Sequence, residues 1–484
     1  MDKIRKLTAL LVMTSCFTCL SFRVLGNHNK IEPQIRASLT LVPTSPITNK
    51  VKLDIRGAVW NNSPHLATYR ILVYIDNVEE SSCLFNKVIQ LQPEKNQGIQ
   101  FWLDTEQFAG DRNIIMVVKS DSGTQTFIEP IKIIDSEIRS TKRIDGSWFE
   151  FYHWSEDEGR FWNKEIIKLS NEQWGELVKG MHDIKMDLVV IQELFRNQKY
   201  VGQHSMDSTG YTGFPYYKSS LYPQNPDKSL LENVQNGLKS ENYPGWKKLA
   251  ADAPLEALLS EADENNMKIF LGVGLYAWFD FSEGSLKWSK EVAKELWDKY
   301  GSHKSFYGWY ISSEIAGDLG TDDNRKKEIV HFFEEFTAYV RTLAPDKPVM
   351  LATNCHHIKQ SNGYYPALLK NLDIICPFGF NRMPANDYSG KEAATILQDY
   401  CDNAGCHLWM DLELFLFGEG NALYPRPMSQ IINDMQMFDN FEKICCYSYT
   451  GLMNAGWQTA KPGGERTVKL YNDYMKYLIN NQAR

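Results

Sequence analysis

The sequence predicts an α/β protein: a TIM (β/α)8 barrel preceded by a small all-β immunoglobulin-like sandwich domain. Two observations carry this. From Gly146 onward, short apolar runs alternate with amphipathic stretches, eight of each, which is the rhythm of a parallel barrel closed on itself. Before that point the chain offers only short alternating runs between turn clusters, with no strong helical pattern. At 484 residues the chain exceeds one ordinary domain, so two are expected.

The first segment, residues 1–26, reads as a signal peptide. Met1-Asp-Lys-Ile-Arg-Lys6 is basic, and Leu7 to Phe22 is an apolar stretch too short and too polar at its end to span a bilayer. Cleavage after Gly26 is one expectation. Met13-Thr-Ser-Cys16 offers a second, a loose lipoprotein box that attaches the protein to an outer membrane if Cys16 is lipidated. No other stretch reaches ~18 apolar residues, so an exported protein is expected, periplasmic or at the cell surface.

Residues 31–135 form the expected sandwich. Its strand candidates are 38–42, 51–60, 69–75, 98–103, 113–119 and 126–134, separated by turn clusters such as Asn61-Asn-Ser-Pro64 and Ser120-Asp-Ser-Gly123. The charged stretch 136–145 is expected to link it to the barrel, residues 146–484, whose length of about 340 residues fits a barrel with insertions. The eight barrel strands are placed at 147–154, 187–193, 267–274, 305–312, 348–354, 373–378, 407–412 and 443–449. Among the helices, Asn324 to Leu343 carries Ile329, Phe332, Phe333, Phe336, Val340 and Leu343 at helical spacing. The largest insertion, Phe195 to Trp246, follows the second strand and is rich in Gly, Tyr, Ser and Pro, as expected of one wall of a cleft on the C-terminal face.

Composition narrows the function. A net charge of −8 speaks against a nucleic-acid partner, whose phosphates need a basic face. Aromatics reach 13%, which suits stacking platforms as well as a large core. Cleavage after Gly26 leaves seven of the nine cysteines, Cys83, Cys355, Cys376, Cys401, Cys406, Cys445 and Cys446, an odd number without a zinc spacing. Cys401 and Cys406 can bridge in an oxidising compartment; buried free thiols are the other reading. No cofactor and no metal site is expected, because His356-His357 lacks a third ligand at a motif spacing.

The chemistry rests on two glutamates. In strand four, Gly308, Tyr310, Ser312 and Glu314 share one face; in strand seven, Trp409, Asp411 and Glu413 do. Both glutamates close their strands, and strands four and seven lie across the barrel from one another. Cleavage of a glycosidic bond needs one carboxyl group to protonate the leaving oxygen and another to attack the anomeric carbon or activate water. Asp411, one layer deeper, is the rival of Glu413. Glu193 ends strand two as a third carboxylate or a partner for Arg382. Further contacts with a carbohydrate substrate are expected from Tyr276, Trp278, Tyr310, Asn354, His356, His357, Asn381, Arg382, Tyr447, Tyr449, Asn454 and Trp457, all at or beyond strand ends.

The barrel segment also resembles a family of exported barrel proteins from anaerobic gut bacteria, domains of unknown function related to clan A glycoside hydrolases. The residues that carry the resemblance are Gly146-Ser-Trp148, Pro254 to Asp263, Phe270-Leu-Gly-Val-Gly274, Phe306-Tyr-Gly-Trp-Tyr-Ile311 with Glu314, and Asp411-Leu-Glu413. The resemblance implies that Glu314 is the acid/base and Glu413 the nucleophile of a retaining hydrolase. It also marks a departure: Ser313 stands where that clan carries Asn, so a donor such as Asn354 would have to meet the sugar 2-hydroxyl. Ser313 supports the alternative expectation of a glycan-binding protein on a glycosidase-like barrel.

Overall fold

The structure, a computed structural model, describes residues 35–150, 153, 157–192, 194, 217, 219–221, 249–274, 276 and 279–482. The signal-peptide and lipidation expectations, Glu193, Trp278 and nearly all of the insertion 195–246 lie outside the described residues.

Eight strands build the N-terminal part: β1 (Ile35–Val42), β2 (Ile47–Thr48), β3 (Leu53–Asn61), β4 (Ala67–Ile75), β5 (Cys83–Leu91), β6 (Asn96–Leu103), β7 (Gly110–Ser120) and β8 (Gly123–Ile134). They form two sheets, ordered β1-β3-β6 and β2-β8-β7-β4-β5. The inward residues of both sheets, among them Ile55, Val59, Ile71, Val73, Met116 and Val118, meet in one core. Alternation along β8 shows why the strands settle this way: Ile131 and Ile133 are buried, while Pro130 and Lys132, which alternate with them, face solvent.

The barrel strands are β9 (Gly146–Phe149), β10 (Leu188–Ile191), β11 (Lys268–Gly272), β12 (Phe306–Ile315), β13 (Val349–Thr353), β14 (Ile374–Ile375), β15 (His407–Leu408), β16 (Met410–Glu413) and β19 (Ile444–Tyr447), all parallel. The nine segments make eight staves, because the seventh is in two pieces. His407–Leu408 pairs with β14 and Met410–Glu413 pairs with β19, so Trp409 sits at the handover that closes the ring. Near-continuous burial along these strands is the mark of a sheet covered on both faces. A Cβ on Gly272 would meet the Gln192 carbonyl oxygen at 2.2 Å, so neighbouring staves approach closely there.

Ten helices are described: α1 (Asn163–Ile166), α2 (Asn171–Asp183), α3 (Pro254–Glu264), α4 (Glu283–Tyr300), α5 (Asp323–Leu343), α6 (Tyr364–Leu369), α7 (Gly390–Ala404), α8 (Met428–Met437), α9 (Tyr449–Leu452) and α10 (Arg466–Gln482). Capping boxes open α2 (Ser170 with Gln173) and α7 (Ser389 with Glu392), satisfying amide donors that have no helical partner. A short antiparallel hairpin, β17 (Phe415–Phe417) with β18 (Leu423–Pro425), follows stave seven.

The sandwich is seated on the N-terminal end of the barrel. Val42 is fully buried in the barrel's interior cluster with Trp148, Phe270, Tyr307 and Trp409. Burying it contributes about 1.5–3 kcal/mol of transfer free energy. Polar contacts surround this plug: the Tyr307 hydroxyl donates to the Leu41 carbonyl (2.7 Å), Thr40 donates to Asp346 (2.6 Å), and Arg56 bridges Asp54 (2.6 Å) and Asp373 (2.7 Å). The stretch 136–145 does not hang free. Arg139 pairs with Asp402 (2.9 Å) and Lys142 donates to the Phe438 carbonyl (2.7 Å).

Candidate active site

The N-terminal end being plugged, the opposite mouth is where the staves can present side chains to a ligand. A cavity of about 230 Å³ opens there, lined by Trp148, His153, Glu158, Gln192, Tyr310, Ser312, Glu314, Ala352, Phe378, Arg382, Asp411, Glu413, Phe415, Phe417, Leu423 and Tyr447. The strand parity read from the sequence is realised. Tyr310, Ser312 and Glu314 of β12 face the same cavity as Asp411 and Glu413 of β16. A larger groove, about 1520 Å³, lies at the other end of the molecule between sandwich and barrel, lined by strand starts such as Met267, Lys268, Ser305 and Tyr307.

The carboxyl groups of the cleft occupy different environments. Glu413 is buried, and Arg382 forks onto it: Nε donates to Oε1 (2.9 Å) and Oε2 (3.1 Å), and a terminal nitrogen donates to Oε1. This bidentate fork of charge-assisted hydrogen bonds fixes the position of the carboxylate. Glu314 stands at the open mouth and is accessible to solvent, yet protein walls crowd it on the other sides. That partial burial raises its pKa; the Arg382 charge opposes the rise and the Glu413 charge adds to it. Asp411 is 6% exposed, and burial lifts its carboxyl well above the ordinary range, with Glu413 pushing in the same direction.

Two more carboxylates complete the cluster. Glu158 approaches His153 at 3.1 Å, and its pKa is pushed up to about 7, first by burial and then by the Glu314 charge. Glu150 accepts hydrogen bonds from the Tyr447 hydroxyl and from Ser448 Oγ (2.8 Å). His153, whose ring meets Tyr447 edge-on at 5.9 Å, is fixed through its backbone by Asn163, which accepts from its amide (2.7 Å) and donates to its carbonyl (3.2 Å).

The structure redistributes several residues expected as sugar contacts. Tyr310 and Tyr447 line the cleft, as does Arg382, which pairs with Glu413. Tyr449 is instead fully buried at the start of α9, where its hydroxyl accepts from Gln458 (3.1 Å): the strand has already ended and its ring turns into the helix layer. Asn454 is consumed by Tyr449, Thr450, Gly463 and Thr467. Trp457 is exposed on the outside of the barrel, donating to Asp183 (3.1 Å) at the end of α2 with Lys179 over its ring, so it does not stack in the cleft. Asn354 accepts from the backbone amides of Gly317 and His356 (both 3.1 Å), which leaves its oxygen committed to the loop. His356 approaches the Gly379 carbonyl (3.3 Å), and His357 uses Asp387. Tyr276 packs against Trp288, and Asn381 is exposed beside Arg382, outside the cavity lining. Among the described residues no group of three or more His, Cys, Asp or Glu is placed to hold a metal, and the seven cysteines from Cys83 onward are free thiols.

Glu150 and His153 were not singled out because the sequence places them inside stave one at 147–154, whereas the strand ends at Phe149; Glu158 lies beyond it in a stretch without periodicity. Phe415 and Phe417 were missed for a different reason: they lie beyond stave seven, placed at 407–412, where the chain turns into a hairpin that brings them over the mouth.

Fold and site together define a (β/α)8-barrel protein whose C-terminal mouth gathers carboxylates around one arginine. The chain belongs to the family described as Domain of unknown function (DUF4434), matched over residues 144–458. Among solved structures it is similar to a candidate alpha-L-fucosidase from Bacteroides thetaiotaomicron, with 17% identity, 69% of this chain and 95% of that chain covered, and a TM-score of 0.48. It is also similar to Bacteroides uniformis beta-glucuronidase 2 (12% identity, 91% and 50% covered, TM-score 0.40) and to the endo-beta-1,4-mannanase of Thermotoga petrophila (12%, 69% and 76%, 0.42). The chain thus spans about half the length of the glucuronidase. No curated protein matches it by sequence.

Proposed function

We propose that the protein is an exported glycoside hydrolase that cleaves a poly- or oligosaccharide by a retaining two-carboxylate mechanism. Glu314 serves as acid/base and Glu413 as nucleophile. The observation that carries this reading is the pair's unequal electrostatics inside one cleft. Glu314, with its raised pKa, is suited to hold a proton for the leaving oxygen; Glu413, gripped by the Arg382 fork, is positioned to attack. After attack, Glu314 as carboxylate would take the proton from the water that releases the sugar. The signal-like residues 1–26 support export, and the sandwich from about residue 31 to 135 is read as an accessory domain that braces the barrel.

Turnover of an aryl glycoside panel tests the assignment. Glu314→Gln and Glu413→Gln are expected to lose activity by about 10³-fold or more while keeping the wild-type melting temperature. Full activity in either variant sinks the role given to it. Ser313, in place of an asparagine beside the acid/base, favours a second reading, a glycan-binding protein on the same barrel. Tight binding across the panel with no product would establish that reading instead.

A further inference from the structure

Beneath the two glutamates the cleft holds two polar side chains that the fold leaves without partners. Ser312 and Asp411 are each 6% exposed, and both line the cavity. Ser312 Oγ and Asp411 Oδ1 make no hydrogen bond. Such an atom is costly when buried unpaired, so a fold keeps it where something else completes it. Other aspartates with an unpaired oxygen differ in kind. Asp54, Asp187 and Asp346 each use their second oxygen on Arg56, Arg143 and Thr40. Asp411 has no such bond among the described residues.

Position says what completes them. Ser312 lies two residues before Glu314, and Asp411 two before Glu413, so both sit one layer down, roughly 6.5 Å along the strands. Tyr310 and Trp409, two residues deeper again, belong to the barrel's packed interior and close the floor. The cavity's sides include the apolar surfaces of Trp148, Phe378 and Tyr447.

We propose that Ser312 and Asp411 form a hydroxyl-binding shelf that selects an uncharged sugar ring in the cleft, with Asp411 as the specificity-determining residue. This rests on reading the cleft as a sugar site. A hydroxyl group both donates and accepts, and so do Ser312 and a carboxylic acid kept neutral by burial, so the partners match. A charged ligand such as a uronate would meet the Glu413 carboxylate, with Arg382 already engaged on it. Its carboxylate would add like charge without a free cation among the described lining residues.

Calorimetry on the full chain in a Glu314→Gln background tests the shelf apart from turnover. The probes are the methyl glycosides of glucose, galactose, mannose, xylose and fucose, with those of glucuronic and galacturonic acid as charged controls. At least one neutral probe is expected to bind, with the uronates about ten-fold weaker or worse. Ser312→Ala and Asp411→Ala should each weaken that binding by about ten-fold or more, whereas Asp411→Asn, which imitates the neutral acid, should stay within about three-fold. Melting temperatures of Ser312→Ala and Asp411→Asn should equal or exceed that of the parent, since an unpaired buried group is removed or kept neutral. Preference for a uronate, no binding by any neutral probe, Asp411→Asn failing as Asp411→Ala does, or a lowered melting temperature would overturn the shelf. Turnover by the protein with Glu314 intact is scored separately. Hydrolysis insensitive to Ser312 and Asp411 keeps the hydrolase reading and removes the shelf; binding through the shelf without hydrolysis does the reverse.

Discussion

The two ends of the barrel use the same strands and the same residue types, and they treat buried charge in opposite ways. At the N-terminal end, cations are supplied generously. Asp373 meets Arg56 (2.7 Å) and Arg341 (2.8 Å), Asp145 meets Arg143 (2.9 Å) and Lys443 (3.1 Å), and Asp346 meets Lys347 (3.1 Å). Although burial alone would raise it, the arginines and the hydrogen bonds hold the Asp373 carboxyl down to about 2. Asp187 is the exception there, raised by burial although Arg143 is 3.1 Å away. At the C-terminal mouth, among the described residues lining the cleft, one arginine serves a whole cluster of carboxyl groups. Glu314, Asp411 and Glu158 are all raised, and Glu158 reaches about 7. Paired charge braces the fold at one end; underpaired charge, which costs stability, is retained at the other, where proton transfer and attack need it.

The largest effect that sharpens this contrast is at the mouth. Glu413→Gln should remove at least about 10³-fold in kcat/KM, equal to about 4 kcal/mol of transition-state stabilisation, with no loss of unfolding free energy in urea. The mirror experiment is at the base. Arg56→Met leaves Asp54 and Asp373 buried with their shared cation gone, and should cost about 3–5 kcal/mol of stability while kcat of the folded protein holds. A base variant that abolishes kcat without unfolding would break the comparison.

Next in size is Arg382→Met, expected to reduce kcat/KM by about 10²-fold by freeing the Glu413 carboxylate from its fork. Arg382 lowers the pKa of Glu314, so its removal raises that pKa, and the proton is retained to higher pH. The alkaline limb of the kcat/KM profile should therefore move upward; a limb that stays or moves down contradicts the electrostatic account.

The smallest effects are the opposite pH dependences of stability at the two ends. Asp373 falls from an ordinary 3.8 to about 2 on folding. Its contribution of about 2 kcal/mol is present above pH 3.8 and lost as pH drops toward 2. Glu158 rises from 4.5 to about 7, so the folded state is favoured below pH 4.5 and loses that advantage as pH climbs through about 7. Urea unfolding against pH should show Asp373→Asn flattening the acid side and Glu158→Gln flattening the neutral side.

What was legible in the sequence follows from what is periodic. Stave parity placed Tyr310, Ser312 and Glu314 on one face and Trp409, Asp411 and Glu413 on another, because a strand repeats every two residues and the barrel covers both of its faces. Past the end of a stave that rule lapses. Tyr449 and Trp457 carry the right chemistry, but a helix begins at Tyr449, and packing against Gln458 and Asp183 decides where their rings go. Glu158 and His153 reach the cleft beyond Phe149, where stave one ends earlier than its sequence pattern, and the β17–β18 hairpin folds Phe417 over it; neither has a local signature. The seating of the sandwich was hidden as well, since Arg56 and Asp373 are 317 residues apart and only the tertiary fold makes them partners.

The central claim is that Glu413 attacks the sugar and Glu314 passes the proton. Mass spectrometry of the protein after reaction with a 2-deoxy-2-fluoro glycoside bearing a good leaving group, chosen from the sugar it turns over, tests it most directly. The account predicts one covalent glycosyl adduct, mapped to Glu413. An adduct on Asp411 or Glu158, or turnover with inverted anomeric configuration and no adduct, would contradict it.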